Sequence, residues 1–150
     1  MNSSSDIVLA SGSVLMTAVL GSYFTSQNTN TPWYDCIKPS IAPPSYVFPI
    51  AWTTLYILIT IAFSRSMSNI AVRNTFIINL VLNVLWCYLY FGQKQLTAAL
   101  FVILLLWITI VRIIYISDDI ITQRLMYPYL AWITFATILN WLSISKAKKC

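Results

Sequence analysis

Five apolar runs, each long enough to cross a bilayer, dominate the chain and restrict it to one kind of fold. About 30 Å of hydrocarbon requires roughly 17–25 helical residues. The runs extend from Ile7 to Phe24, about Tyr46 to Ser64, about Asn74 to Phe91, Leu96 to Ile116 and about Leu125 to Ile144. Of the 150 residues, 59% are hydrophobic and only 9% charged, far from the balance of a soluble domain. The expectation is an all-α integral membrane protein, with residues 1–150 forming one membrane domain. Three of the four connections are short, so consecutive helices should lie antiparallel in a five-transmembrane-helix bundle.

The same composition excludes much chemistry. The chain has neither glutamate nor histidine, and its four aspartates, Asp6, Asp35, Asp118 and Asp119, lie at helix ends or in loops. General-base hydrolysis and metal catalysis lack their usual side chains, and haem ligation by histidine is excluded. The net charge of +5 is spread over loops and tail, which reads as a topology and lipid-headgroup signal and not as a nucleic-acid patch. Under the positive-inside rule, Lys38, Lys94, Lys146, Lys148 and Lys149 fall on the cytosolic side and Arg65, Arg73 and Arg124 opposite, with Arg112 near a helix end.

The first connection is the long one. "TSQNTNTPWYDCIKPSIAPPS" holds four of the six prolines and a Trp-Tyr pair, and aromatic content in a long loop predicts an ordered lid over the bundle. Its prolines set where the second span begins. The first span lacks a basic leader and a clear cleavage site, so it is expected to be retained. Its Ser13, Thr17 and Gly21 form a small-xxx-small ridge suited to close packing within the bundle. Cys36, Cys87 and Cys150 make no paired or metal-ligand spacing, and free thiols are expected.

Polar residues inside the spans point to the functional interior. At 100° per residue, Asn79, Asn83, Trp86 and Tyr90 fall on one stripe of the third span, which should face inward because polar groups in hydrocarbon need partners. Phe48, Trp52, Leu55 and Ile59 line one face of the second span, with Tyr56 at its margin. Tyr129, Trp132, Ala136, Asn140 and Ser143 line one face of the fifth. Three such stripes predict an aromatic-walled cavity for a flat, largely apolar ligand with one or two hydrogen-bond acceptors. Interfacial anchoring is the alternative for Trp33, Trp107 and Trp141, and helix-to-helix bonding is the alternative for the asparagines, above all Asn79.

Three strings add a resemblance. They are K-P-x-x-x-P-P-x-x-x-F-x-x-x-W-x-x-L-Y at Lys38 to Tyr56, L-N-x-x-W at Leu82 to Trp86, and P-Y-L-x-W-x-x-F-A-x-x-L-N at Pro128 to Asn140. With these in order along nearly the whole chain, the sequence resembles the translocator protein family (TspO/MBR), also called tryptophan-rich sensory protein or peripheral benzodiazepine receptor. The resemblance implies a five-helix bundle whose long loop between helices 1 and 2 closes a pocket for porphyrins such as protoporphyrin IX and haem, and for related lipophilic ligands. Carried over by motif, the ligand-binding residues are Trp52, Asn83, Trp132 and Ala136, with Pro43, Pro44, Phe48 and Trp86 as neighbours. No cofactor is required, porphyrin or haem being the ligand.

The resemblance also implies a receptor or sensor in the bilayer, with homodimers as a family feature. Light-dependent porphyrin breakdown would need only Trp52 and Trp132 beside an excited ring, and no acid–base pair. A transporter of tetrapyrroles or sterols is the alternative function. Two departures matter. Ile41 replaces the usual aromatic residue before the double proline, and Trp141 stands where a sterol-recognition pattern needs tyrosine, which argues against tight sterol binding. By family, a eukaryotic member belongs in the mitochondrial outer membrane or the endoplasmic reticulum, and a bacterial one in the cell membrane or outer membrane. "KAKKC" has the form of a dilysine retrieval signal, although a short basic tail is the commoner explanation.

Overall fold

The computed structural model describes residues 3–150, and six α-helices account for most of them: α1 (Ser4–Ser26), α2 (Pro32–Ile37), α3 (Val47–Arg65), α4 (Ile70–Cys87), α5 (Leu96–Ile116) and α6 (Ile120–Ala147). A π turn over Tyr88–Gly92 extends α4. All but the short α2 are long and apolar enough to span a membrane.

Three spans start earlier than the apolar runs suggest, because polar residues beside the runs act as caps. Ser3 and Asp6 form a capping box at the start of α1, each side chain accepting from the other's backbone N–H. The Asn69 side chain accepts from the Val72 N–H, so α4 begins at Ile70 rather than Asn74. Asp119 accepts from the Ile121 N–H, so α6 begins at Ile120 rather than Leu125.

Neighbouring spans close into a ring in the order α1, α3, α6, α5, α4 and back to α1. The three stripe-bearing helices, α3, α4 and α6, therefore look into one shared interior. Helix α1 joins the ring through Ala10, Val14, Thr17 and Gly21, its buried residues. A Cβ on Gly21 would stand 3.4 Å from Cys87 Sγ and 3.8 Å from the Tyr56 hydroxyl, so glycine admits α3 and α4 together. The small-residue ridge divides here: Thr17 and Gly21 are buried, while Ser13 is exposed and turns its hydroxyl back to the Leu9 carbonyl.

The long connection is an ordered lid. Thr31 caps α2 by accepting from the Tyr34 N–H, and Pro32 occupies its first position, where no N–H is needed. Tyr34 and Ile37 are buried beneath it. Lys146 Nζ donates to the Lys38 carbonyl at 2.8 Å. Cys36 and Cys150 form a disulfide across a sequence separation of 114 residues, which corrects the expectation of free thiols for this pair. Cys87 is a free, buried thiol. No spacing rule signals a bond between a loop and a tail so far apart in the chain.

At the opposite end an ion pair joins α3 to the start of α6. Arg65 donates through Nε to Asp119 Oδ2 at 2.6 Å and through Nη2 to Oδ1 at 3.1 Å, and Thr122 Oγ1 adds a third bond at 2.8 Å. The Arg65 guanidinium, chiefly through these hydrogen bonds, holds the Asp119 carboxyl well below the usual carboxylate range. A depressed folded-state pKa gives stability that is complete above the ordinary carboxylate value near ~4 and is lost as pH falls below it.

Two outcomes follow from this packing. The thermal midpoint of detergent-purified protein should fall on acidification below about pH 4, and Asp119→Asn should flatten that dependence while lowering the midpoint at neutral pH. Gly21→Ala, adding a methyl at ordinary contact distance, should leave the midpoint nearly unchanged, whereas Gly21→Ile should destabilise by about 1–3 kcal/mol.

Candidate functional site in the bundle interior

The α4 stripe is buried along its length and is bonded to both neighbouring walls. Asn79 and Asn83 have no exposed surface, and neither do the α6 residues that the stripe bonds, Tyr129, Asn140 and Ser143. Tyr129 is the hub. Its hydroxyl accepts from Asn83 Nδ2 at 3.1 Å and donates to Asn79 Oδ1 at 3.0 Å. Asn79 Nδ2 in turn donates to Thr109 Oγ1 on α5 at 2.9 Å, and the Thr109 hydroxyl donates to the Leu106 carbonyl. One turn further along α4, Trp86 Nε1 donates to Asn140 Oδ1 at 2.9 Å, and Asn140 Nδ2 donates to the Leu96 carbonyl. Tyr90, carried on the π turn, meets Ser143 at 2.8 Å.

Against this wall stands an aromatic cluster from α3 and α6. Trp52 lies edge-on to Trp132 at 6.3 Å and to Tyr129 at 6.5 Å, and tilts against Tyr56 at 5.4 Å. Phe48 meets Trp132 at 5.9 Å. The rings touch one another, so the slot between α3 and α6 is filled by its own side chains. A hollow of about 850 Å³ lies instead between α1 and α4, bordered by residues such as Gly12, Met16, Val81 and Tyr88. None of the sequence-predicted residues lines it. Below the cluster Phe63 and Phe76 stack at 5.0 Å and close the interior toward the Arg65 end.

Two buried polar atoms in this region have no partner: the indole nitrogen Nε1 of Trp132 and the carbonyl oxygen Oδ1 of Asn83. Among the described residues they are the two buried side-chain polar atoms without a partner, one a donor and the other an acceptor. A buried polar group left unpaired costs about 1–3 kcal/mol, and such atoms mark a place where a partner can bind.

The structure thus brings Phe48, Trp52 and Trp132 together on one side, with Asn83 reached through Tyr129. Ala136 is buried one turn beyond Trp132 on the same face of α6. Trp86 belongs to a second aromatic group with Tyr90 and Phe91, at 5.2 and 6.1 Å, and its N–H is taken by Asn140. Pro43 and Pro44 lie in the turn before α3, where the Pro44 carbonyl accepts from the Val47 N–H. They make the approach to Phe48 without joining the ring cluster. Of the three tryptophans read as anchors, Trp33 packs on Tyr90 from the lid, Trp107 donates to Thr134 at 2.9 Å, and Trp141 is 59% exposed.

Thr109 and Thr75 were missed in the sequence reading. Thr75 accepts from Arg112 Nε at 3.2 Å, extending the α4 stripe by another turn. The available signal for Thr109 was its hydroxyl well inside the most apolar span, away from Thr97 and Tyr115 near the ends.

Closed ring, membrane-length helices and an interior of aromatic and amide side chains define a multi-pass α-helical membrane protein. The sequence profile of the TspO/MBR family matches residues 9–144, and the chain belongs to that family. It is 40% identical over 134 residues to the tryptophan-rich protein TspO of Archaeoglobus fulgidus, covering 85% of this chain and 87% of the relative. It is 34% identical over 119 residues to protein CrtK of Rhodobacter capsulatus, covering 72% and 74%. The human translocator protein is 29% identical over 120 residues, covering 73% and 71%.

Asn79 is bonded at both ends of its amide, so Asn79→Ala takes the acceptor from the Tyr129 hydroxyl and the donor from Thr109, and cuts the link between α4 and α5. It should lower the thermal midpoint by the equivalent of about 1–3 kcal/mol, measured by thermal unfolding in detergent. An unchanged midpoint would show that the hub does not hold α4, α5 and α6 together.

Proposed function

We propose that the protein is a membrane receptor or sensor that takes a porphyrin, protoporphyrin IX or haem, into the interior between α3, α4 and α6. The observation that carries this reading is the unpaired couple, Trp132 Nε1 and Asn83 Oδ1, beside a cluster of indole and phenyl rings. A porphyrin is flat and largely apolar, and its carboxyl groups accept hydrogen bonds and, when protonated, donate them. Aromatic rings supply the stacking surface, and each orphaned atom would gain the partner it lacks.

Side chains divide the work. Trp52 and Phe48 hold Trp132 edge-on, so admitting a ligand requires these rings to turn and exchange mutual contact for contact with the macrocycle. Ala136 keeps that face of α6 low beside Trp132, where a larger side chain would occupy the ligand's place. Pro43 and Pro44 fix the approach of the lid to Phe48. The names of the relatives, tryptophan-rich sensory protein and translocator protein, accord with a ligand-responsive membrane protein. Iron in a bound haem would find no histidine in this chain. Under illumination an excited porphyrin beside Trp52 and Trp132 can exchange an electron with indole or sensitise oxygen, the chemistry of a slow photodegradation.

A titration of the purified protein with protoporphyrin IX in the dark, followed by tryptophan quenching, tests the reading. Saturable binding is expected, weakened at least about tenfold in Asn83→Ala and Trp132→Phe, since each loses a charge-assisted or neutral hydrogen bond made in a dry site. Trp52→Phe should weaken it less in the dark and slow bleaching in the light. Unsaturable quenching that is the same in all variants would mean that the dye partitions into the micelle, and would overturn the proposal.

A further inference from the structure

The lid is fastened to the bundle at one end by contacts of very different strength. Trp33 lies edge-on to Tyr90 at 6.3 Å, Tyr34 tilts against Phe91 at 6.0 Å, and Lys94 Nζ stands 5.1 Å above the Trp33 ring. Lys146 donates one exposed hydrogen bond to the Lys38 carbonyl. The Cys36–Cys150 bond is the covalent fastening, with Cα atoms 6.1 Å apart, within the normal span for a disulfide. Both cysteines are on exposed residues, so a small thiol can reach the bond.

The charge around this bond bears on its fate. Lys38, Lys94, Lys146, Lys148 and Lys149 all gather at the lid end of the bundle, while Arg65 and Arg73 are at the other. The positive-inside rule assigns such an end to the cytosolic side, and cytosolic thiol pools keep ordinary cysteines reduced. An accessible disulfide on that side is not a passive staple.

We propose that Cys36 and Cys150 form a reversible thiol–disulfide modification site, a latch that sets how tightly the lid covers the bundle. In the opening step the thiolate of a glutathione-class thiol attacks one cysteine sulfur. A mixed disulfide forms, and the other cysteine leaves as a thiolate. A second thiol then attacks the mixed disulfide, releasing the remaining cysteine and one molecule of low-molecular-weight disulfide. Two electrons pass to the protein, and the same disulfide compound drives the reverse reaction. With the bond open, α2 is held without a covalent tie, by the burial of Tyr34 and Ile37, the aromatic edges, the cation–ring contact and one hydrogen bond. The layer beneath it is the Trp86, Tyr90 and Phe91 group, so the latch governs solvent access to the lid end of the interior.

The test uses full-length protein in phosphatidylcholine nanodiscs equilibrated in glutathione buffers from oxidising to reducing. After unfolding and maleimide labelling, oxidised protein should present only the Cys87 thiol and reduced protein all three cysteines. Hydrogen exchange of residues 31–46 should speed up about tenfold on reduction, as expected when local opening becomes easier, with the middle of α4 and α5 unchanged. Cys150→Ser should exchange at the fast rate in every buffer. Three reactive thiols even in the oxidising buffers, or a lid whose exchange is the same in both states of the wild-type protein, would overturn the proposal.

Discussion

Within the hydrocarbon layer a polar side chain has no water to bond with, and the α4 stripe turns that constraint into the seam of the molecule. Thr75, Asn79, Asn83, Trp86 and Tyr90 lie one turn apart, and each reaches a polar side chain on α5 or α6. Individual interhelical bonds of this kind contribute about 0.6–2 kcal/mol each. Their greater effect is on register, because sliding α4 by one turn would break them together. Around this seam the apolar faces need only be complementary in shape, as at Gly21, where a small residue lets α1 pack against α3 and α4.

A bundle arranged to satisfy its polar groups makes the exceptions informative. Asn83 uses one side of its amide on Tyr129 and leaves the other unpaired, whereas Asn79, four residues earlier, is bonded on both. Trp86 has its N–H satisfied and Trp132 does not. Residue types repeat along the helices, yet their roles separate by what lies opposite. The same distinction divides the interior into a fully bonded frame against α5 and a ring-lined, incompletely bonded side against α3.

Both ends of that interior are closed by different means. Toward the α3–α4 turn, Phe63 stacks on Phe76, and the Arg65–Asp119 pair ties α3 to α6 beyond it. Toward the lid, closure depends on a loop, several aromatic edges and a bond between two exposed cysteines. The first closure is built from side chains on long helices. The second is carried by a short helix between prolines and lies where charge and thiol chemistry can act on it.

Length and apolarity alone determined the five spans and the membrane as solvent, because a backbone in hydrocarbon has few ways to satisfy its own N–H and C=O groups. Helical periodicity determined that Asn79, Asn83, Trp86 and Tyr90 share one face, since side-chain direction follows from 3.6 residues per turn. Helix starts were less legible: Asn69 and Asp119 looked like linker residues until their side chains were seen accepting from backbone N–H groups. Only the tertiary structure decided the ring order, the choice of Tyr129 and Thr109 as partners, and the filled rather than open slot around Trp132. It alone joined Cys36 to Cys150 across 114 residues. Those outcomes depend on which faces meet in space, and a periodic pattern on one helix carries no information about the residue that will stand opposite.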